Sequence, residues 1–120
     1  CIVGDGEANE GSIWESLLIA VSNKLNNLIV IIDYNKSQIR SLEPNLNTKM
    51  FKSFGCDVAL VDGHDVEQLI DSMSVFDKPK VVLANTVKGK GIKEIEKDMF
   101  AWHHRAPTDE EYERFIEVIG

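Results

Sequence analysis

Asp5 stands between Gly4 and Gly6, directly after a short strand-like run at residues 1–3. Farther along, Asn35 closes an Asp33-Tyr34-Asn35 triplet that follows the apolar run "LIVII" at residues 28–32. A carboxylate and an amide oxygen are hard donors of the kind that hold Mg²⁺ or Ca²⁺. Mg²⁺ commonly keeps few protein ligands and completes its shell with phosphate oxygens and water. A glycine on each side of Asp5 lets backbone and ligand approach closely. The chemistry open to these residues is therefore the binding of a phosphorylated ligand through a metal. They also fit a purely structural reading, in which Asp5 caps the loop that follows and Asn35 makes a turn.

The elements that must position these groups can be read from periodicity. Residues 12–25 carry Ile13, Trp14, Leu17, Leu18, Val21 and Leu25 at three- and four-residue spacings, which predicts a helix with one buried face. The run at 28–32 is short and rich in β-branched residues, as expected of a strand covered on both faces. A short helix is expected near 47–54, stopped by Gly55, and a strand at 58–61. A helix at 65–75 with Val66, Leu69, Ile70 and Met73 inward, and a fourth strand at 81–84, follow. Residues 108–119 read as an amphipathic helix opened by a Thr108/Glu111 capping box. Alternating strands and helices imply right-handed crossovers and an α/β fold, a parallel sheet flanked by helices. Ligands of such sheets bind beyond the carboxyl ends of the strands. The polar clusters fall there: Gly4-Asp5-Gly6, Asp33-Tyr34-Asn35, Asp62-Gly63-His64-Asp65, and Asn85 to Gly89. The first strand is already running at residue 1, so the domain is expected to be incomplete at its N-terminus.

Composition limits the partners. A net charge of −7 with scattered Lys and Arg speaks against nucleic acid, whose recognition leaves a basic face. It also means that a phosphorylated ligand needs a metal to mediate. Cys1 and Cys56 form no metal or disulfide framework, which fits a reducing compartment, with the cytoplasm as the default. No apolar run approaches the ~20 residues that span a bilayer. No repeat, low-complexity tract or linker breaks the chain, so residues 1–120 are read as part of a single domain.

These residues carry a resemblance. "GDGEANEG" followed by the Asn of "DYN" is similar to the thiamine diphosphate fingerprint. The strings "GDGEANEGSIWES", "NNLIVIIDYNKSQI", "VDGHD", "NTVKGKG" and "WHHRAPTDEEYE" occur in the order in which similar strings occur in transketolases, particularly the split form whose N-terminal section is a separate subunit. The resemblance implies a thiamine diphosphate-binding fold. In it, Asp5, the Asn35 side chain and the Ser37 backbone carbonyl would bind Mg²⁺ or Ca²⁺, while Gly4 and Gly6 line the diphosphate. Ile39 and Val87 would pack against the thiamine rings, although both also fit as ordinary core. Glu10 and Glu15 match glutamates near the dimer interface that couple two active sites. Glu15 also fits a local capping box with Ser12. His103, after Trp102 and before Pro107, matches the histidine that lies over the cofactor and handles sugar oxygens. The family pattern usually has glycine where this chain has His104, which leaves room for a shifted substrate preference or for His104 to take part, and an aromatic residue is common where it has Cys56, read here as packing. His64 is read as structural.

The reaction so implied is transfer of a two-carbon ketol unit between sugar phosphates. The thiazolium carbon is the nucleophile, and a glutamate from another domain or subunit drives its deprotonation. No residue here matches that glutamate. The resemblance therefore implies, as partner, a pyrimidine-binding C-terminal section or subunit of transketolase, in a homodimer or heterotetramer, and an apolar surface around Trp14 and Ile39 that seeks that partner. Two alternatives stand beside it. One is another thiamine enzyme subunit, of the oxo-acid dehydrogenase or deoxyxylulose phosphate synthase type. The other is a non-catalytic assembly relative that keeps the fold.

Overall fold

The "LIVII" run and the three other β-branched segments pair side by side in a computed structural model, which describes residues 1–37, 46–74 and 76–120. The strands are β1 (Ile2–Gly4), β2 (Ile29–Tyr34), β3 (Asp57–Asp62) and β4 (Lys80–Asn85), all parallel, in the order β1-β2-β4-β3. The two continuously apolar runs, β2 and β4, take the central places, where both ladder edges are satisfied and an unbroken apolar sequence is tolerated. The register aligns Gly4 with Asp33 and Asp33 with Ala84, so the polar triplets all emerge at one end of the sheet.

Helix α1 (Gly11–Ser22) and helix α2 (Thr48–Ser53) cover one face. Leu17 and Phe51 are sealed there with Val3, Ile32, Val81 and Leu83 in one core. Trp14 stacks on Phe51 with ring centroids 5.1 Å apart, and its indole N–H donates to the Ala8 carbonyl at 3.0 Å. Trp14 is thus half-buried against the core, and Ile39, the other residue of the expected partner surface, lies outside the described residues. Asn47 caps α2 by accepting from the Lys49 and Met50 amides, and Gly55 ends it at φ +95°, a conformation that favours glycine. Cys56 packs in the same core; burial, and then the neighbouring Asp57 charge, push its thiol pKa up.

Helix α3 (Val66–Ser72) corrects another expectation. Its Val66 and Ile70 are 67% and 60% exposed, and the side turned inward runs through Leu69 and Ser72. The helix is short and lies against the edge strand β3, so less of its circumference meets protein than a face over the sheet centre would. Helix α1 also stops earlier than its periodicity suggests: Lys24 turns left-handed at φ 53°, the Asn23 side chain donates to the Ile19 carbonyl, and Leu18 and Leu25 stay exposed.

The residues gather into two compact units, Cys1–Thr86 and Val87–Gly120. The second holds helix α4 (Lys93–Lys97), which periodicity did not reveal, a 3₁₀ turn at Ala101–His103, and helix α5 (Asp109–Ile119). Among the described residues, no helix is long and apolar enough to cross a membrane.

Candidate cofactor and metal site

Asp5 follows β1 by one residue, and its backbone N–H continues the ladder by donating to the Asp33 carbonyl at 3.1 Å. Its side chain is 2% exposed. A carboxylate at that depth needs charge or hydrogen-bond compensation. Gly4 and Gly6 flank it without left-handed backbone, since the described glycines at positive φ are Gly55, Gly89 and Gly91. The Gly4 amide donates to Glu7 Oε2 at 2.6 Å, which closes the loop back on the strand end.

Asn35 lies just past the neighbouring strand β2. Its Oδ1 accepts from the Ser37 amide at 2.8 Å, an Asx turn across Lys36, which sits at φ 61°. Its Nδ2 donates to Asp33 Oδ2 at 2.8 Å, and Asp33 Oδ1 accepts in turn from the Thr86 hydroxyl. The turn expected of Asn35 on the structural reading is therefore present. It does not use up the amide oxygen, which has a second lone pair.

The residues fit a hard divalent cation. They offer one buried carboxylate, one amide oxygen of fixed orientation and nearby backbone, a donor set suited to Mg²⁺ with phosphate and water completing the shell. Among the described residues no group of three or more His, Cys, Asp or Glu side chains is placed to hold a metal.

The other expected residues fall as follows. Ile39 lies outside the described residues. Glu10 is the N-cap residue of α1 but makes no side-chain cap, and Ser12 lies inside the helix with its hydroxyl 3.5 Å from Glu10 Oε2. The local Ser12/Glu15 capping box is thus not formed, because the helix starts earlier than that box needs. Glu15 is exposed on α1. His64 is exposed on the β3–α3 turn, its amide donating to Asp62 Oδ1 at 2.9 Å. Val87 opens the second unit and is exposed. There, His103 and His104 are both exposed, with ring centroids 4.6 Å apart in an edge-on arrangement. Arg105 spreads over Trp102 at 3.6 Å and pairs with both Glu111 oxygens at 2.7 and 2.8 Å. Trp102 meets Phe115 edge-on at 5.3 Å. Sequence reasoning placed Asp33 and Thr86 in polar clusters but gave them no role. The hydrogen bond that joins them spans two strands that are neighbours only in space.

A parallel sheet with its polar clusters at the carboxyl ends, among them a buried aspartate and an oriented asparagine that follow paired strands, is an α/β domain built like those that bind a ligand at that edge. The family described as the thiamine diphosphate binding domain of transketolase matches residues 1–116, and the chain belongs to it. One subunit of the apulose-4-phosphate transketolase of Actinobacillus succinogenes is 39% identical over 98% of this chain, which spans 45% of that relative. Mouse transketolase is 36% identical over 99% of the chain, equivalent to 20% of its own length. Among solved structures, transketolase from Campylobacter jejuni superposes with a TM-score of 0.71 at 34% identity, covering 79% of this chain and 16% of that one. The chain thus spans less than half the length of these relatives.

Proposed function

We propose that this chain supplies the diphosphate-binding half of a transketolase site, used for ketol transfer between sugar phosphates. The observation that carries the reading is the presence of a buried Asp5 and an oriented Asn35 amide just past the ends of two paired strands, in a chain of this family. Asp5, Asn35 Oδ1 and the Ser37 carbonyl hold Mg²⁺, or Ca²⁺ in its place. Gly4 and Gly6 admit the diphosphate beside them. Ile39 and Val87 pack against the rings. Bound thiamine diphosphate supplies a nucleophilic carbon that also acts as electron sink. The protein's share is binding and orientation: His103 hydrogen-bonds sugar oxygens, and Glu10 and Glu15 lie at a boundary between chains. Both units belong to one cofactor domain, supported by the family match that runs across them. The Actinobacillus relative bears the name of one subunit among others, which supports a partner chain that carries the pyrimidine-binding section. We place the assembly in the cytoplasm, as a homodimer or a heterotetramer.

The test is binding. In the complete assembly, Mg²⁺-dependent uptake of thiamine diphosphate is expected, and Asp5→Ala is expected to abolish it at the parent's working concentrations while leaving the fold intact, because strand-end loops contribute little to the core. An Asp5→Ala protein that bound metal and cofactor as tightly as the parent would overturn the site. A screen of ketose phosphates as donors then tests the reaction class.

A further inference from the structure

We propose that Asp33 is a positioning residue that locks the polarity of the Asn35 amide, with Thr86 anchoring Asp33 to the neighbouring strand; the inference rests on the metal reading above. An amide's two ends are nearly the same size, but a cation is attracted to the oxygen and repelled by the NH₂ group. A site that draws one ligand from an asparagine must therefore fix which end faces the metal. Asp33 can do this because a carboxylate only accepts. Its Oδ2 takes the Asn35 Nδ2 at 2.8 Å, which leaves the Asn35 Oδ1 to the Ser37 amide and to the cation. The carboxylate itself is held by the Thr86 hydroxyl on its other oxygen, so neither Asp33 nor Asn35 can turn without breaking a second bond.

The surroundings are shaped for this relay. Asp33 lies in register with Gly4 on one side and Ala84 on the other, two of the smallest residues, which leave its side chain room at the end of the sheet. Thr86 is held by its own backbone, the amide donating to the Tyr34 carbonyl at 3.4 Å. Its methyl group fills the space where a Cβ at residue 63 would go, so only glycine fits there. The "VDGHD" glycine and the Thr of "NTVKGKG" thus acquire a shared purpose. Gly63 admits Thr86, Thr86 fixes Asp33, and Asp33 aims Asn35. Outer partners that orient a ligand in this way typically contribute roughly 10–100-fold to metal affinity.

The experiment uses the complete assembled protein, saturated with thiamine diphosphate and titrated with Mg²⁺ by calorimetry and with Mn²⁺ by electron paramagnetic resonance. Asp33→Asn keeps the size but can donate, so Asn35 loses its fixed orientation, and metal affinity is expected to fall roughly 10–100-fold. The double variant Asp33→Asn with Asn35→Asp restores the donor–acceptor order, since the new amide donates to a carboxylate that still faces the metal; it is expected to recover most of the loss. Thr86→Val is expected to weaken the metal while Thr86→Ser does not, a comparison that stands even where Asp33→Asn fails to fold. Parent-like affinity in Asp33→Asn, a double variant no better than the single one, or equal affinities in the two Thr86 variants would overturn the role of Asp33. Asp5→Ala separates the two claims. If it binds Mg²⁺ as the parent does, the metal site itself is wrong; if it is impaired while Asp33→Asn is not, only the relay is.

Discussion

At the scale of single residues, the sharpest question lies between His103 and His104. Both side chains are exposed, and their rings meet edge-on, so geometry alone does not rank them. The proposed function ranks His103 first, on its resemblance to the family pattern. Replacing it by Gln is expected to lower turnover with sugar phosphates by roughly 10²-fold, the low end for a positioned acid–base group, with cofactor binding nearly unchanged. His104→Gln is expected to shift substrate preference with a smaller loss; an equal or larger loss would mean that the register of the loop is one residue out. The strand-end places of Asp5 and Asn35 were legible because a carboxylate between glycines and an amide after an apolar strand mark where a strand stops. The Asp33–Thr86 link was not, since its partners stand 53 positions apart and meet only once β2 and β4 are in register.

At the scale of elements, the turn that carries the histidines is fastened to α5. Arg105 lies over Trp102 and grips Glu111, which also completes the capping box with Thr108. The Arg105 hydrogen bonds first, and the Thr108 amide second, hold the Glu111 carboxyl down to about 2. A carboxyl depressed in the folded state contributes stability above its ordinary value of about 4.3, and that contribution is lost as pH falls toward the folded value. The protection of the amides at the start of α5, taken relative to the intrinsic exchange rate at each pH, is therefore expected to fall as pH drops from about 4.3 toward 2. Glu111→Gln is expected to remove that pH dependence. Protection unchanged through this window would show that the clamp does not hold the turn. The capping box was legible because it is local: Thr108 and Glu111 lie within one turn. So were β2 and β4, whose apolar runs have one use in a parallel sheet. The faces of α3 and the end of α1 were not. Periodicity shows that a stripe is apolar, but whether protein lies against it depends on strand order, and β3 turned out to be an edge.

At the scale of the whole molecule, the exposed apolar groups include a stripe on helix α1. Helix α1 turns Leu18 and Ile19 to solvent on the same side as Glu15, at three- and four-residue spacing, with Glu10 at the helix start. Trp14, one turn before Leu18, is packed against the core. We propose the outer stripe of α1, where acidic groups sit beside apolar ones, as one surface toward a partner. Carboxylates so placed suit burial against a second chain, where a shared proton or a donor across the boundary offsets desolvation. A domain that grips the diphosphate end of a cofactor also leaves the pyrimidine and the reactive carbon without their other wall. We therefore expect an obligate oligomer whose activating glutamate comes from outside these residues. Leu18→Asp with Ile19→Asp in the complete protein is expected to shift sedimentation toward smaller species and to reduce ketol transfer in parallel, with the fold of the sheet retained. The companion measurement takes residues 1–120 alone, with thiamine diphosphate and Mg²⁺. A monomer of this segment that turned over sugar phosphates unaided would refute the expectation, since it would place a whole site within one chain.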